Sequence, residues 1–192
     1  MMTPTLQLPP SVALNEKPGL FELVDGEIVR KTVGAAEIAI ANLLKEALTD
    51  AVRTAKCGRT YVEMGFAMAN GNGRKPDVAF LSYQSWARNR RIPPGDYMPV
   101  APDLAIEIIS PNELTMATVY KVQEYFESGV KQVWLVFSNI EQVYCYTSPT
   151  NVRILTREDE ISGDALISGF RMAVADLFPP VETDHESNES NE

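Results

Sequence analysis

The chain has 192 residues, of which 45% are hydrophobic, 22% charged and 8% aromatic, a composition typical of one soluble globular domain. The formal net charge of -9 argues against a protein that coats nucleic acid by bulk electrostatics. The two cysteines, Cys57 and Cys145, form no CxxC motif, so neither a zinc site nor a disulfide framework is indicated, and a reducing cytoplasm is the predicted compartment.

The N-terminal part of the chain predicts an arm followed by a hairpin. Residues 1–18 are rich in proline and are predicted to form the arm. They contain no basic region followed by an apolar core, so no secretory signal is predicted, and no stretch of the sequence offers the ~18 apolar residues that a membrane helix needs. In residues 21–31, Asp25-Gly26 separates two short β-prone runs, which predicts a β-hairpin.

A helix and two strands are predicted next. Apolar residues recur at helical spacing over residues 35–54, which predicts an amphipathic helix. Residues 60–68 alternate between apolar and polar side chains, which predicts a single strand. The sequence Asn-Gly-Asn-Gly at residues 70–73 predicts a turn, and residues 76–81 (PDVAFL) predict the second strand.

The middle of the chain predicts a βαβ unit. Residues 82–102 are polar and rich in proline, as is typical of a loop. Residues 104–109 (LAIEII) and 132–137 (QVWLVF) are nearly continuous apolar runs, as expected of strands that are covered on both faces. A helix is predicted between them over residues 113–128, so the two strands are expected to be parallel with a right-handed crossover.

The last part of the domain is predicted to be mostly β-structure. Residues 142–147 and 152–156 predict an antiparallel pair, and residues 174–178 predict a short helix. The order of elements therefore favours an α/β or α+β fold that is built on a mixed sheet.

The domain is predicted to cover residues 19–180. Residues 181–192 are acidic and rich in Ser and Asn, which predicts a disordered tail. The only histidine, His185, lies in this tail, so a mechanism that needs a histidine base, such as a Ser-His-Asp triad, is nearly excluded.

Glu107 is the most informative charge because it lies between Ile106 and Ile108 in an otherwise apolar strand. A buried carboxylate is costly unless it is paired or bound to a metal, so Glu107 is either a structural partner of a Lys or Arg or a functional acid. Asp77 opens the strand at residues 76–81, and alone it would be typical of a turn. Two acids on one side of neighbouring strands predict a site for a hard divalent cation, Mg²⁺ or Mn²⁺.

Other charges allow two interpretations each. Lys121 lies at the border of the inward face of its predicted helix, where it either snorkels to solvent or reaches over the strand ends. Val119 is assigned to that inward face, and Glu124 is predicted to face away from it. Glu37, near the start of the first helix, either interacts with the helix dipole or supplies a third acid to the metal.

The hairpin carries three further acids, Glu22, Asp25 and Glu27. They are more typical of solvated turn charges, although one of them could line a cleft.

The motifs PDVAFL, APDLAIEIISPN and K-x-x-x-YFESGVKQVWLV together resemble the Uma2 family of restriction-endonuclease-like proteins. The similarity spans roughly residues 21–178. It implies a PD-(D/E)XK nuclease-like fold, in which a central mixed sheet is flanked by helices and Asp77 and Glu107 are the motif acids. The lysine of the nuclease pattern is replaced here by Ile109, and the resemblance assigns its role to Lys121.

The resemblance implies a Mg²⁺-dependent endonuclease that hydrolyses phosphodiester bonds, with DNA as the expected substrate and a homodimer as the expected assembly. Many family members carry a histidine near the start of the first helix, where this chain reads AAEIAI and leaves Glu37 as the candidate. One alternative is a non-catalytic protein that uses the nuclease fold for binding or as a scaffold, and the acidic composition favours it. Another is a metal-dependent hydrolase of small phosphoesters.

Overall fold

The computed structural model describes residues 19–110, 116–163 and 166–179. The predicted arm at residues 1–18, the predicted tail at 181–192 and the first three residues of the predicted crossover helix, 113–115, lie outside the described residues.

The described residues form an α+β fold with a long helix near the N-terminus and a shorter one in the middle of the chain. The elements are, in order, β1 Leu20–Val24, β2 Glu27–Lys31, α1 Ala35–Ala55, β3 Gly58–Val62, β4 Gly65–Ala67, β5 Gly73–Arg74, β6 Val78–Ser82, β7 Tyr97–Met98, β8 Leu104–Ile109, α2 Met116–Glu127, β9 Gln132–Phe137, β10 Gln142–Ser148, β11 Asn151–Leu155, β12 Glu160–Ser162, β13 Arg171–Ala173 and a 3-10 helix at Val174–Leu177.

A six-stranded mixed sheet forms the centre of the molecule, with the strand order β11-β10-β9-β8-β6-β3. Only β8 and β9 in this sheet are parallel, and α2 connects them, so the predicted βαβ unit is confirmed. The antiparallel pair of β10 and β11 is also confirmed. A second sheet, with the order β2-β1-β5-β4-β7, contains the predicted hairpin.

Among the described residues, one α-helix packs against each face of the central sheet. On one face, Leu44 and Leu48 of α1 pack in a core that includes Ile106 and Ile108 of β8. On the other face, Val122 and Tyr125 of α2 belong to a core that includes other residues of the same strands. Side chains alternate along a strand, so Glu107 lies on the same face as Ala105 and Ile109, which are two residues away on either side. This is the face that α2 covers.

The prediction of a single strand over residues 60–68 is wrong. The chain forms β3 and β4 there, and the two strands belong to different sheets. Glu63 lies between them with a φ of 51°, in the left-handed region, and turns the chain from one sheet to the other. Only glycine fits at position 65, since a Cβ there would lie 2.1 Å from the carbonyl oxygen of Asp96.

The predicted orientation of α2 is wrong at two residues. Val119 was assigned to the inward face but is 60% exposed, whereas Glu124 was predicted to face away but is 7% exposed. The helix is turned so that Glu124 pairs with Arg74 of the second sheet. The stabilisation from this ion pair outweighs what the burial of Val119 would contribute. Neither helix in the described ranges has the length and apolar character required to cross a membrane.

Candidate active site

The two acids singled out in the sequence lie next to each other. Asp77 immediately precedes β6, and the antiparallel pairing of Val78 with Ile106 places it opposite Glu107 of β8. Both residues are buried, at 3% and 4% exposure. The backbone N–H of Ile108 donates a 2.6 Å hydrogen bond to Asp77 Oδ2 and fixes this carboxylate against β8. The structure therefore brings the two acids together on one side of neighbouring strands.

Lys121 reaches over the strand from α2. Its Nζ lies 2.9 Å from Glu107 Oε1 and 3.3 Å from Glu22 Oε1. The hydroxyl of Tyr125, one helical turn further along, donates to the same Glu107 oxygen at 2.5 Å. Lys121 thus points to the acids and does not snorkel to solvent. The helix positions its backbone, and the carboxylates of Glu107 and Glu22 hold its ammonium.

Lys31 is a second lysine of the site, and the sequence did not single it out. Its Nζ lies 2.7 Å from Asp77 Oδ1, 3.0 Å from Glu63 Oε2 and 3.9 Å from Glu107 Oε2. It also donates a 2.6 Å hydrogen bond to the carbonyl oxygen of Lys75. The ammonium of Lys31 therefore lies between the two acids that were predicted to hold a metal.

No local pattern identifies Lys31, because Arg30 and Lys31 are consecutive cations at the end of a short strand. Arg30 is exposed and Lys31 is half-buried, with a side chain that is 10% exposed. The pairing of the second sheet with the central sheet decides which of the two enters the site, and this pairing is not written in the hairpin itself.

A buried network of polar side chains continues from the site toward the second sheet. Glu22 is 6% exposed and accepts hydrogen bonds from the backbone N–H of Lys75 at 2.8 Å and from Arg74 Nη1 at 3.1 Å. Arg74 Nε donates to Glu124 Oε2 at 2.5 Å. The other oxygen of Glu124 accepts from the side-chain amides of Asn70 and Asn72. Glu22 was predicted to be more typical of a solvated charge, and its burial is explained by these partners and Lys121.

The site carries more acids than bases. Among the described residues its ion pairs join five carboxyl groups to three cations, namely Glu22, Glu63, Asp77, Glu107 and Glu124 with Lys31, Arg74 and Lys121. Such an excess of buried carboxylates is costly in a medium of low dielectric constant and favours the uptake of a proton or a cation.

The titration of the site follows from burial and from its ion pairs. Burial raises the pKa of Glu107, although Lys121 and Lys31 oppose this shift. Burial also raises the pKa of Glu63 to about 7 against the opposing effect of Lys31. Burial alone would lower the pKa of Lys121, but the carboxylates of Glu107 and Glu22 outweigh it and raise this pKa. Lys121 is therefore a charged ammonium at neutral pH.

Comparison with known proteins decides the family. The model of the Uma2 family, described as "Putative restriction endonuclease", matches residues 5–175 of the chain. The chain belongs to the Uma2 family. This confirms the resemblance that the three motifs indicated, and nucleic acid is the substrate class that the family description suggests. No curated protein matches the sequence of this Uma2 chain.

A solved structure supports the fold of this Uma2 protein. The crystal structure of "a putative nuclease belonging to DUF820" from Anabaena variabilis ATCC 29413 superimposes with a TM-score of 0.72 at 19% sequence identity. The match covers 85% of this chain and 94% of that protein. At this level of identity the likeness shows the fold alone, and it confirms the predicted mixed sheet with flanking helices.

A cavity of about 900 Å³ opens beside the acids of this Uma2 protein. Its described lining comes from the hairpin, the start of α1, Asp77 before β6, the end of β8 and α2, with one residue each from β5 and β9. Glu37 is half-buried and lines this cavity, but in the described part of the chain no hydrogen bond or ion pair joins it to Asp77 or Glu107. Within the same ranges no three acidic, histidine or cysteine side chains are grouped closely enough to hold a metal by themselves. Glu37 as a third ligand stays a prediction.

Proposed function

We propose that this Uma2 protein is a Mg²⁺-dependent endonuclease that hydrolyses phosphodiester bonds in DNA, with Mn²⁺ as a substitute metal. The observation that carries the proposal is the position of Asp77 and Glu107 side by side on neighbouring strands, with the ammonium of Lys121 2.9 Å from Glu107. Two acids and a lysine on one side of a sheet are the groups that metal-assisted phosphodiester hydrolysis needs.

The donor set of the site fits a small hard cation. Mg²⁺ is usually held by one or two carboxylates, with waters and substrate phosphate completing its shell, so it does not require a cage of three acids. Asp77 and Glu107 would hold it, and the excess of carboxylates over cations in the cluster supplies the negative charge that it would neutralise. The Lys31 ammonium lies 2.7 Å from Asp77 and 3.9 Å from Glu107, so a metal that binds these acids would have to displace it or share them with it.

Lys121 and Tyr125 each have a definite part in such a reaction. A bound metal would polarise the phosphoryl oxygen and lower the pKa of a water molecule. Lys121 is held charged by Glu107 and Glu22 and can orient the attacking water or offset negative charge that develops on the phosphate. Tyr125 keeps its proton, because burial and the adjacent Glu107 raise its pKa well above the usual value, so it donates to Glu107 and fixes the rotamer of this acid.

The competing function is a non-catalytic protein that uses the fold for binding or as a scaffold. The observation in its favour is Lys31, because its ion pairs with Asp77, Glu63 and Glu107 satisfy the acids without any metal. In that case the cluster would be a structural ion-pair network that ties the hairpin to the central sheet.

Titration with Mn²⁺ separates the two functions. We expect wild type to bind Mn²⁺ and the Glu107→Gln variant to bind it at least about 10-fold more weakly, a difference of roughly 1.4 kcal/mol, because one of two charged ligands is lost. Isothermal titration calorimetry measures the affinities, and nicking of plasmid DNA in Mn²⁺ measures activity. Glu127→Gln, which neutralises an exposed acid at the end of α2, is the matched control and should behave like wild type. Equal Mn²⁺ affinity in wild type and Glu107→Gln would reject the site.

Removal of Lys31 tests whether it competes with the metal. We expect Lys31→Met to bind Mn²⁺ about 10-fold more tightly than wild type, because its ammonium lies 2.7 Å from Asp77 and must be displaced or must share the acids when a metal binds. Calorimetry at low ionic strength measures the difference. Arg30→Met, at the exposed neighbouring position, is the control and should leave the affinity unchanged. Weaker binding in Lys31→Met would instead show that Lys31 positions the acids for the metal.

A further inference from the structure

We propose that the cavity beside the acids accepts single-stranded nucleic acid and that a base stacks there on Tyr120. The inference rests on the proposed function and adds the form of the substrate. It is carried by three features of the described residues, which are the depth of the acids, an exposed aromatic ring on the cavity wall and the scarcity of free cations around it.

The depth of the acids restricts what can reach them. The side chains of Asp77 and Glu107 are only 5% and 6% exposed and lie at the floor of the cavity of about 900 Å³. Cavities of roughly 300–1,000 Å³ hold one small ligand. A phosphodiester must therefore enter the cavity together with its nearest sugars and bases. A single strand can be threaded in this way, whereas a stacked and paired duplex must first be opened.

Tyr120 lies where an entering base would pass. It lines the cavity from α2, directly before Lys121 in the sequence, and the residue is 62% exposed. Val29 of the hairpin lines the same cavity and is 45% exposed, so apolar surface is contributed by both α2 and the hairpin. Stacking of a base on an aromatic ring contributes about 1–3 kcal/mol and tolerates any sequence, since every base has a π-face.

The charges around the cavity disfavour a duplex held by its backbone. Among the described residues, four cations line the cavity, and three of them, Lys31, Arg74 and Lys121, are occupied in ion pairs with buried acids. Arg30 is the exposed cation of the described lining. Duplex binding by phosphate contacts needs many such cations and depends steeply on salt. With few of them, binding must come mainly from stacking and from the acid site, and its salt dependence should be shallow.

The test compares the binding of a single strand with the binding of a duplex. Fluorescence anisotropy with a 5′-fluorescein oligothymidylate and with a hairpin duplex, both in Ca²⁺ as the probe metal, gives the two affinities and their salt slopes. We expect the single strand to bind at least about 10-fold more tightly and with the shallower slope. An oligouridylate in the same assay shows whether the strand is read as DNA or RNA, and either preference supports the inference. Equal or tighter binding of the duplex would overturn the inference. It would also be overturned if neither the oligothymidylate nor the oligouridylate bound.

Substitution of Tyr120 tests the stacking directly. Tyr120→Ala should weaken single-strand binding about 10-fold, and Tyr120→Phe should restore it, because the ring and not the hydroxyl stacks. Val119→Ala is the matched control, since Val119 is equally exposed on α2 but lies outside the cavity lining. Equal effects of Tyr120→Ala and Val119→Ala would overturn the inference.

Cleavage assays with Mn²⁺ distinguish failure of the inference from failure of the proposed function. Cleavage of duplex without any preference for single strands would overturn the inference and leave the nuclease intact. Tyr120-dependent binding of single strands without cleavage of any substrate would reject the nuclease and support the inference as the property of a binding protein.

Discussion

Replacing Lys121 with alanine is expected to lower the rate of phosphodiester cleavage by roughly 10²-fold or more, the order seen when one preorganised charge stabiliser is lost. The ammonium of Lys121 is held by Glu107 at 2.9 Å and by Glu22 at 3.3 Å, so it is positioned before the substrate arrives. Because the same ammonium neutralises Glu107, its loss should leave Mn²⁺ affinity nearly unchanged or slightly raised. A fall in rate without a fall in metal affinity would separate the role of the lysine from that of the acids.

Two further variants sharpen this experiment. Lys121→Arg keeps the charge but should not restore full activity, because the planar guanidinium presents its donors in a different geometry from that of a compact ammonium. Gln123→Ala, on the exposed side of the same helix, is the control and should cleave like wild type. Single-turnover cleavage of labelled DNA in Mn²⁺, together with calorimetry, measures both quantities. Undiminished cleavage by Lys121→Ala would reject the catalytic role.

The sequence predicted the parts of the fold that are specified by local patterns. The apolar runs at residues 104–109 and 132–137 are buried on both faces. Such strands can be recognised from composition alone, because nearly every residue in them is hydrophobic. Glu107 was detectable because it interrupts one of these runs. Asp77 could be added because side chains alternate along a strand, so its face followed from the strand that it opens.

The parts that the sequence did not predict depend on partners far away in the chain. The burial of Lys31 and Glu22 requires the hairpin sheet to dock beside β6 and β8, and nothing within the hairpin specifies this contact. Helical spacing predicts a buried Val119 and an exposed Glu124, because hydrophobic periodicity takes no account of an ion pair with a distant residue such as Arg74. The alternation over residues 60–68 suited either sheet, and only the left-handed turn at Glu63 divides it.

The same distant partners make Glu124 a sensitive point for stability. Glu124→Ala is expected to lower the free energy of unfolding by about 1–3 kcal/mol, because it removes a buried acceptor and leaves the groups that donate to it without a partner. Arg74 is 12% exposed and would keep only Glu22, at 3.1 Å, as a charged partner. The side-chain amides of Asn70 and Asn72 would also lose their acceptor.

Urea denaturation measures this loss as a lower midpoint with an unchanged m-value. Glu124→Gln should cost less than Glu124→Ala, since a carbonyl oxygen remains to accept from the two asparagines even though the charge is gone. Glu127→Ala removes an acid from the exposed surface at the end of α2 and should change the stability by less than about 0.5 kcal/mol. If Glu124→Ala behaved like Glu127→Ala, the network would contribute little to folding. The burial of Glu124 would then have to be explained by its effect on the position of α2, and hence of Lys121.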